Sequence, residues 1–211
     1  TGGDGKEWTP QNFSRQYYGP TRMRTAITYS YNVWAVKAVM DIGLDVVNDA
    51  FLRFGINTKA ADYSAALGAY EVTPLNLISA FTTFPNGGYR TKPIFITRVE
   101  DMNGKVLERS ATSKYQVTSP EVAFLMTSML QSVVTSGTGA AARNNYYWQA
   151  AGKTGTSSDH RDAWFIGFNK KYTLGIWNGF DNNAAISASA SCAPIWGQIM
   201  TKAIRIDNKG R

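Results

Sequence analysis

The sequence contains one cysteine, Cys192, and one histidine, His160. A single thiol excludes an intramolecular disulfide and a cysteine-rich metal site. A single imidazole excludes a centre of several histidines and leaves His160 as the only candidate for a histidine base. The sequence also lacks the roughly 18 to 20 consecutive apolar residues of a membrane-spanning helix, and we expect no signal peptide in its first residues. We expect neither a metal ion nor a cofactor.

Positive charge is present but dispersed. The formal net charge is +7 over 211 residues, yet no run of five or more Lys and Arg residues exists. Such a balance permits an anionic partner without identifying one, and a solvated basic surface is the commoner explanation. A basic stripe with interleaved aromatic residues is absent, so we expect no nucleic-acid binding. The apolar fraction of 44% is typical of a folded globular domain.

Helix signals dominate the first two thirds of the chain. Apolar periodicity predicts a helix from about Asn32 to Ile42 that ends at Gly43. Thr73 and Pro74 have the cap and first-turn positions of another helix. The dipeptide at 103–104, Asn-Gly, predicts a hairpin turn between two short strands.

The segment TSPEVAFLMTSMLQSVVTSG gives the strongest helix prediction. Thr118 and Glu121 have the spacing of a capping box. We interpret the segment as a core helix with one apolar stripe. The stripe comprises Val122, Leu125, Met126, Met129, Leu130 and Val133.

Strand patterns follow in the last third. The segments YWQAAGKTGT, AWFIGF and YTLGIWNGF predict three strands with tight connections, which favours an antiparallel meander. A closing helix is predicted with Pro194 near its start. Helices first, then a sheet, then one last helix is the order of an α+β fold rather than an alternating α/β fold.

The stretch QAAGKTGTSSD permits three interpretations. A phosphate-binding loop requires a glycine where Tyr147 stands and a helix after the lysine, and neither is present. A plain turn of small residues is the second interpretation. On a strand, Lys153 and Gly155 face one side of the sheet, and Thr154 and Thr156 face the other. At a sheet edge, this combination suits a site that holds a carboxylate and stabilises an oxyanion.

GKTGT followed by DAWFIGF resembles the third motif, K-[ST]-G, of the penicillin-binding proteins and serine β-lactamases. Ser30 and Asn32, in TYSYNVWAV, match the family's second motif, Ser-x-Asn, at a predicted helix start. WTPQN, ALGAYEVTPLNLISAF, NGG, SGTG and API are further stretches similar to the class A, high-molecular-weight members. The resemblance extends over essentially the whole chain. It implies a transpeptidase-like α+β fold, an antiparallel sheet flanked by helices.

The family's first motif, Ser-x-x-Lys, is not found, because no lysine has a serine or threonine three residues before it. In the family this motif precedes the W-x-P-x-N stretch by a few tens of residues. We therefore expect residues 1–211 to be a partial transpeptidase domain that starts just after its nucleophile. The earliest one or two strands of the sheet are expected to be missing too. The isolated chain is accordingly predicted to be inactive.

The resemblance implies serine acyl transfer on peptidoglycan stem peptides that end in D-Ala-D-Ala, and β-lactam binding, in the parent protein. Three residues would be catalytic. Ser30 would relay a proton to the leaving amine, Lys153 would be hydrogen-bonded to Ser30, and Asn32 would hold the substrate amide. The parent protein would be anchored to the cytoplasmic membrane and face the cell wall, and this fragment itself would be soluble.

Substrate binding is implied for the rest of the third motif. Thr154 and Thr156 would bind the terminal carboxylate, and the N–H of Thr156 would donate to the oxyanion. Gly155 lacks a side chain and would let the substrate backbone approach. An exposed sheet edge can pair with another strand. We therefore expect the exposed edge of this sheet to pair with the missing part of the domain or with a second copy of the chain.

Each site residue also has a structural alternative. Ser30 can be only a helix N-cap, Asn32 a turn residue, and Lys153 a solvated strand lysine. His160 is expected in an exposed loop. The aromatic residues near the third motif are expected in the core: Tyr146, Tyr147, Trp148, Trp164 and Phe165. For the whole chain, the alternative is a non-catalytic scaffold or peptidoglycan-binding module.

Overall fold

The structure is a computed structural model that describes residues 8–186 and 192–209. Within those ranges it contains six α-helices, α1 (Met23–Tyr29), α2 (Asn32–Ile42), α3 (Leu44–Phe54), α4 (Pro74–Phe81), α5 (Pro120–Ser136) and α6 (Cys192–Lys209). The strands in the same ranges are β1 (Tyr89–Thr91), β2 (Arg98–Glu100), β3 (Val106–Arg109), β4 (Lys114–Gln116), β5 (Ala151–Thr156), β6 (Asp162–Phe168) and β7 (Thr173–Gly179). Short 3₁₀ turns cover Tyr63–Leu67, Ala140–Asn144 and Ser158–His160.

The three C-terminal strands form the predicted antiparallel meander, in the order β5-β6-β7. β5 and β7 are therefore the two edges of the described sheet. The prediction that β5 starts with the aromatic residues at 147–148 is wrong, because the first residue of β5, Ala151, already pairs with the last residue of β6, Phe168. The chain before Ala151 has no opposite strand to pair with.

Helices cover both faces of this sheet. On one face, α6 places Trp196, which is fully buried, against Phe165 and Tyr146. Its indole N–H donates to the carbonyls of Gly167 and Leu174, at 3.2 and 3.1 Å. Those two bonds satisfy a polar atom that burial would otherwise penalise. On the opposite face, a second buried cluster joins α5 to the sheet through Leu130, Ala151 and Phe168.

Several local predictions are confirmed. Helix α2 runs from Asn32 to Ile42, with Gly43 at its C-cap. Thr73 caps α4 by accepting from the N–H of Asn76 at 3.3 Å. The turn between β2 and β3 places Gly104 at a φ of 78°, a left-handed conformation that glycine adopts without a steric penalty. None of the described helices is both long and apolar enough to cross a membrane.

The N-terminus of α5 differs from its prediction. The N-cap is Ser119, whose hydroxyl accepts from the N–H of Val122, so the proposed capping box at Thr118 begins one residue too early. The reason is Pro120, which disfavours helical backbone angles in the residue before it. Ser119 is thereby kept out of the helix and becomes its cap.

The buried face of α5 is also rotated from the predicted stripe. Leu130 and Val133 are buried as predicted, together with Ala123 and Val134. Val122 and Leu125 are instead 50% and 55% exposed. Helix α5 is apolar around much of its circumference, so its periodicity does not specify which side meets the sheet.

Candidate active site

The structure brings the second and third motif stretches together. Lys153 on β5 places its Nζ atom 2.8 Å from the hydroxyl oxygen of Ser30, although the two residues are 123 positions apart in sequence. The same ammonium donates to the carbonyl of Thr154 at 2.9 Å. Lys153 is therefore not a freely solvated strand lysine. Its side chain reaches from the sheet to the junction of α1 and α2.

Burial changes the acid–base behaviour of this lysine. Removal from water disfavours its charged form and lowers the pKa of Lys153 from 10.5 to about 8. An amine with such a pKa exchanges protons close to neutral pH, and a serine hydroxyl lies within hydrogen-bonding distance of it. The Ser30–Lys153 pair is thus chemically able to relay a proton.

Ser30 occupies a strained backbone conformation. It lies between α1 and α2 with φ 56° and ψ 52°, in the left-handed region that residues other than glycine rarely adopt. It is not the N-cap of α2, since that position belongs to Tyr31. The structural alternative for Ser30 is therefore wrong. Its hydroxyl accepts from Lys153 instead of capping a helix, and such strain is concentrated at functional sites.

Asn32 is the first residue of α2, as predicted. The hydrogen bond that its side chain makes is not with Ser30 or Lys153. Its Nδ2 donates to the carbonyl of Gln11 at 2.9 Å. The neighbouring residue of that segment, Asn12, is buried and accepts from the N–H of Val33 at 3.1 Å. Asn12 thus caps α2 from 21 positions away. Sequence reasoning missed this role, although Asn12 belongs to the WTPQN stretch.

The outer edge of β5 presents an outward backbone donor at Thr156. The N–H of Ser157 donates inward to the carbonyl of Asp162 on β6 at 3.1 Å. Because successive N–H groups of a strand point in opposite directions, the N–H of Thr156 points outward, away from β6. No described residue accepts from it. An outward N–H on the strand that carries the lysine is a donor of the type that oxyanion sites use.

The hydroxyls of the third motif have different surroundings. Thr154 Oγ1 lies 2.6 Å from the hydroxyl of Thr138, a residue of the SGTG stretch whose contact with β5 sequence reasoning missed. Thr156 is exposed at the strand end. Gly155 pairs with Trp164 of β6. A Cβ added to this glycine would lie 3.3 Å from the Cβ of Trp164. The glycine therefore also makes room for this tryptophan.

The predictions for the surrounding aromatic residues are only partly confirmed. Tyr146 and Phe165 are buried in the core. Trp164 is half-buried and packs at an angle against its cross-strand neighbour on β7. Tyr147 and Trp148 are 75% and 44% exposed, so their assignment to the core is wrong. They precede β5 in a segment that no strand covers, which leaves their rings at the surface.

Among the described residues, no hydrogen bond or ring contact joins His160 to Ser30 or Lys153. It is half-buried in the turn after β5, and its ring meets the edge of Phe13 at 6.5 Å between centroids. A strand, a short turn and a second strand surround the motif lysine, so the helix that a phosphate-binding loop requires is absent from residues 151–168. Within the described residues, no three His, Cys, Asp or Glu side chains are grouped as metal ligands.

A Ser-x-Asn stretch joined by a hydrogen bond to a Lys-Thr-Gly strand is a motif combination of the serine β-lactamases and penicillin-binding proteins. The family model described as the penicillin binding protein transpeptidase domain matches residues 1–201. The chain therefore belongs to the penicillin-binding protein transpeptidase family.

Individual relatives agree with this assignment. Penicillin-binding protein 1A of Aquifex aeolicus is 35% identical over 207 residues, which cover 96% of this chain and 28% of that protein. Penicillin-binding protein 1A of Neisseria meningitidis serogroup A is 32% identical over 97% of this chain and 27% of its own length. The chain thus spans between a quarter and a third of these curated relatives.

Solved structures show the same fold. Penicillin-binding protein 1A from Haemophilus influenzae superimposes with a TM-score of 0.87 at 26% identity, over 95% of this chain and 37% of that one. Penicillin-binding protein A from M. tuberculosis, solved as an imipenem acyl-enzyme complex, superimposes with a TM-score of 0.80 at 21% identity, over 95% and 52%. The predicted α+β transpeptidase fold is confirmed.

Proposed function

We propose that this chain is part of a peptidoglycan D,D-transpeptidase, which cross-links stem peptides by serine acyl transfer and binds β-lactams. Family membership supports the reaction class. The observation that carries the proposal is the 2.8 Å contact between Lys153 Nζ and Ser30 Oγ, beside the open edge of β5. A pair at that separation can pass a proton to a departing amine, which amide cleavage requires.

The proposed catalytic cycle uses a serine that lies outside this chain. That serine gives its proton to the lysine of its Ser-x-x-Lys motif and attacks the carbonyl of the penultimate D-alanine. The C–N bond then breaks, and the nitrogen of the departing terminal D-alanine receives a proton through Ser30, which is hydrogen-bonded to Lys153. The outward N–H of Thr156 stabilises the oxyanion, an interaction worth about 3 kcal/mol in other acyl-transfer enzymes. An amine from a neighbouring stem peptide then releases the acyl group.

The remaining site residues hold the substrate in this proposal. Thr154 and Thr156 bind the terminal carboxylate beside the Lys153 ammonium, and Gly155 keeps the strand edge open to the peptide backbone. Asn32 holds the substrate amide after its Nδ2 exchanges the Gln11 carbonyl for the ligand. Extended substrates bind sheet edges through backbone hydrogen bonds, which suits the free edge of β5.

We also propose that the nucleophile is supplied by a Ser-x-x-Lys motif in polypeptide that completes this domain. No lysine of the chain has a serine or threonine three residues before it, which supports this proposal. The same polypeptide would cover the β7 edge of the sheet, which leaves the β5 edge to the substrate. The complete protein would work outside the cytoplasmic membrane, anchored to it and facing the cell wall.

Acylation by penicillin tests the proposal directly. The 211-residue chain and the longer gene product that contains it are each incubated with penicillin and analysed by intact-protein mass spectrometry. We expect one penicillin adduct on the longer product, at the serine of a Ser-x-x-Lys motif, and none on the isolated chain. Replacement of Lys153 by methionine in the longer product is expected to slow acylation by about 100-fold or more.

The controls separate the parts of this proposal. Replacement of the exposed Lys170 by methionine changes the net charge equally and should leave acylation unchanged. An adduct on the isolated chain contradicts the proposal that its nucleophile lies elsewhere. A longer product that takes up no penicillin contradicts the transpeptidase function and favours a non-catalytic scaffold.

A further inference from the structure

The turn after α5, residues 136–139, connects the two halves of the candidate site. The N–H of Thr138 donates to the carbonyl of Thr28 at 3.2 Å, two residues before Ser30. The hydroxyl of Thr138 lies 2.6 Å from that of Thr154, one residue after Lys153. One residue therefore contacts both the helix end that carries the serine and the strand that carries the lysine.

The two glycines of this turn allow it to pack closely. A Cβ on Gly137 would lie 2.2 Å from the carbonyl oxygen of Thr28, and one on Gly139 would lie 2.8 Å from the ring of Phe165. Both glycine N–H groups donate to the carbonyl of Val133, each at 3.1 Å. The backbone of the turn is thus held against α1, α5 and the sheet, and Thr138 has little freedom to move.

We propose that Thr138 is a positioning residue for the carboxylate end of the site. This inference rests on the proposed function. Its hydroxyl holds the Thr154 side chain in one rotamer at the open edge of β5. The two hydroxyls share one hydrogen bond, which uses one of their two protons. The other proton remains available to an anion, so the pair donates from a fixed position.

Two substitutions distinguish this role from simple packing. Thr138→Val keeps the shape of the side chain and the N–H bond to Thr28 but removes the hydroxyl. Thr138→Ser keeps the hydroxyl. Thr135→Val is the matched control, because the Thr135 hydroxyl donates only to carbonyls of its own helix, those of Gln131 and Ser132.

The first readout needs no ligand. Three-bond NMR couplings report the rotamer of Thr154 in the 211-residue chain. We expect one Thr154 rotamer in wild type, T138S and T135V, and couplings averaged over several rotamers in T138V. The melting temperature of T138V should be close to that of T135V. Unchanged Thr154 couplings in T138V overturn the proposal. Equally lowered melting temperatures in T138V and T138S indicate a purely structural role and also overturn it.

The second readout is binding of an N-acyl-D-Ala-D-Ala dipeptide, followed by NMR. Loss of one hydrogen bond is expected to weaken binding by about two- to tenfold in T138V, with recovery in T138S. Equal affinity in T138V and wild type contradicts the positioning role. If wild type itself does not bind the dipeptide, the proposed substrate-binding role of residues 154–156 is contradicted, and the couplings of Thr154 still decide the role of Thr138.

Discussion

The lowered pKa of Lys153 predicts a specific dependence of stability on pH. Its pKa is about 8 in the folded chain, against an ordinary value of 10.5. Below pH 8 both states hold the proton, and the folded state bears the cost of a buried charge. Between pH 8 and 10.5 the folded lysine has released its proton while the unfolded lysine retains it. Stability therefore rises with pH across this window.

The size of the effect follows from the two pKa values. Integration from pH 7 to pH 10 gives about 2.5 kcal/mol of added unfolding free energy, and water at the open edge of β5 reduces this to about 2 kcal/mol. Lys153→Met removes the titrating group and keeps the length of the side chain. The difference in unfolding free energy between wild type and K153M should therefore move in favour of wild type by about 2 kcal/mol over that range.

Urea unfolding at a series of pH values measures this difference. Comparison with K153M cancels the contributions of the titrating groups that both proteins share. Lys170→Met replaces an exposed lysine in the turn between β6 and β7. Its unfolding free energy should depend on pH in parallel with that of wild type. If the difference in unfolding free energy between wild type and K153M stays constant or falls as the pH rises, burial does not act on Lys153 as proposed.

Two further substitutions test how the site is supported. Asn12→Ala should lower the unfolding free energy by about 2 kcal/mol, because it removes the cap on the N–H of Val33 and the hydrogen bond to the Gln16 carbonyl. Asn12→Asp keeps the cap acceptor and should lower the unfolding free energy less. Equal losses in the two variants would contradict the capping role. Gly137→Ala should cost about 1 to 3 kcal/mol in urea unfolding, since its Cβ would overlap the Thr28 carbonyl. An unchanged midpoint would contradict the close packing of the turn.

Local chemistry accounts for what the sequence predicts well. The meander β5-β6-β7 follows from strand patterns with short connections, and the bounds of α2 follow from periodicity and from Gly43. These elements depend on residues close together in the chain. The start of α5 was missed by one residue because the effect of Pro120 on Ser119 outweighed the apparent capping box.

Contacts between distant residues account for what the sequence does not predict. The cap that Asn12 provides to α2 and the hydroxyl pair of Thr138 and Thr154 join segments that have no shared pattern. Resemblance to a family pointed to Ser30 and Lys153, but only the folded chain gives their 2.8 Å separation and the buried environment of the amine.

We propose that Ser30, Lys153 and the outer edge of β5 together bind a peptide that ends in a D-amino-acid carboxylate. The most direct measurement is an NMR titration of the 211-residue chain with N-acyl-D-Ala-D-Ala and with the same peptide amidated at its C-terminus. With the free acid we expect chemical-shift changes concentrated at Ser30 and residues 153–156, and with the amide we expect much smaller changes. Equal shifts with both peptides, or shifts away from β5, would contradict this proposal.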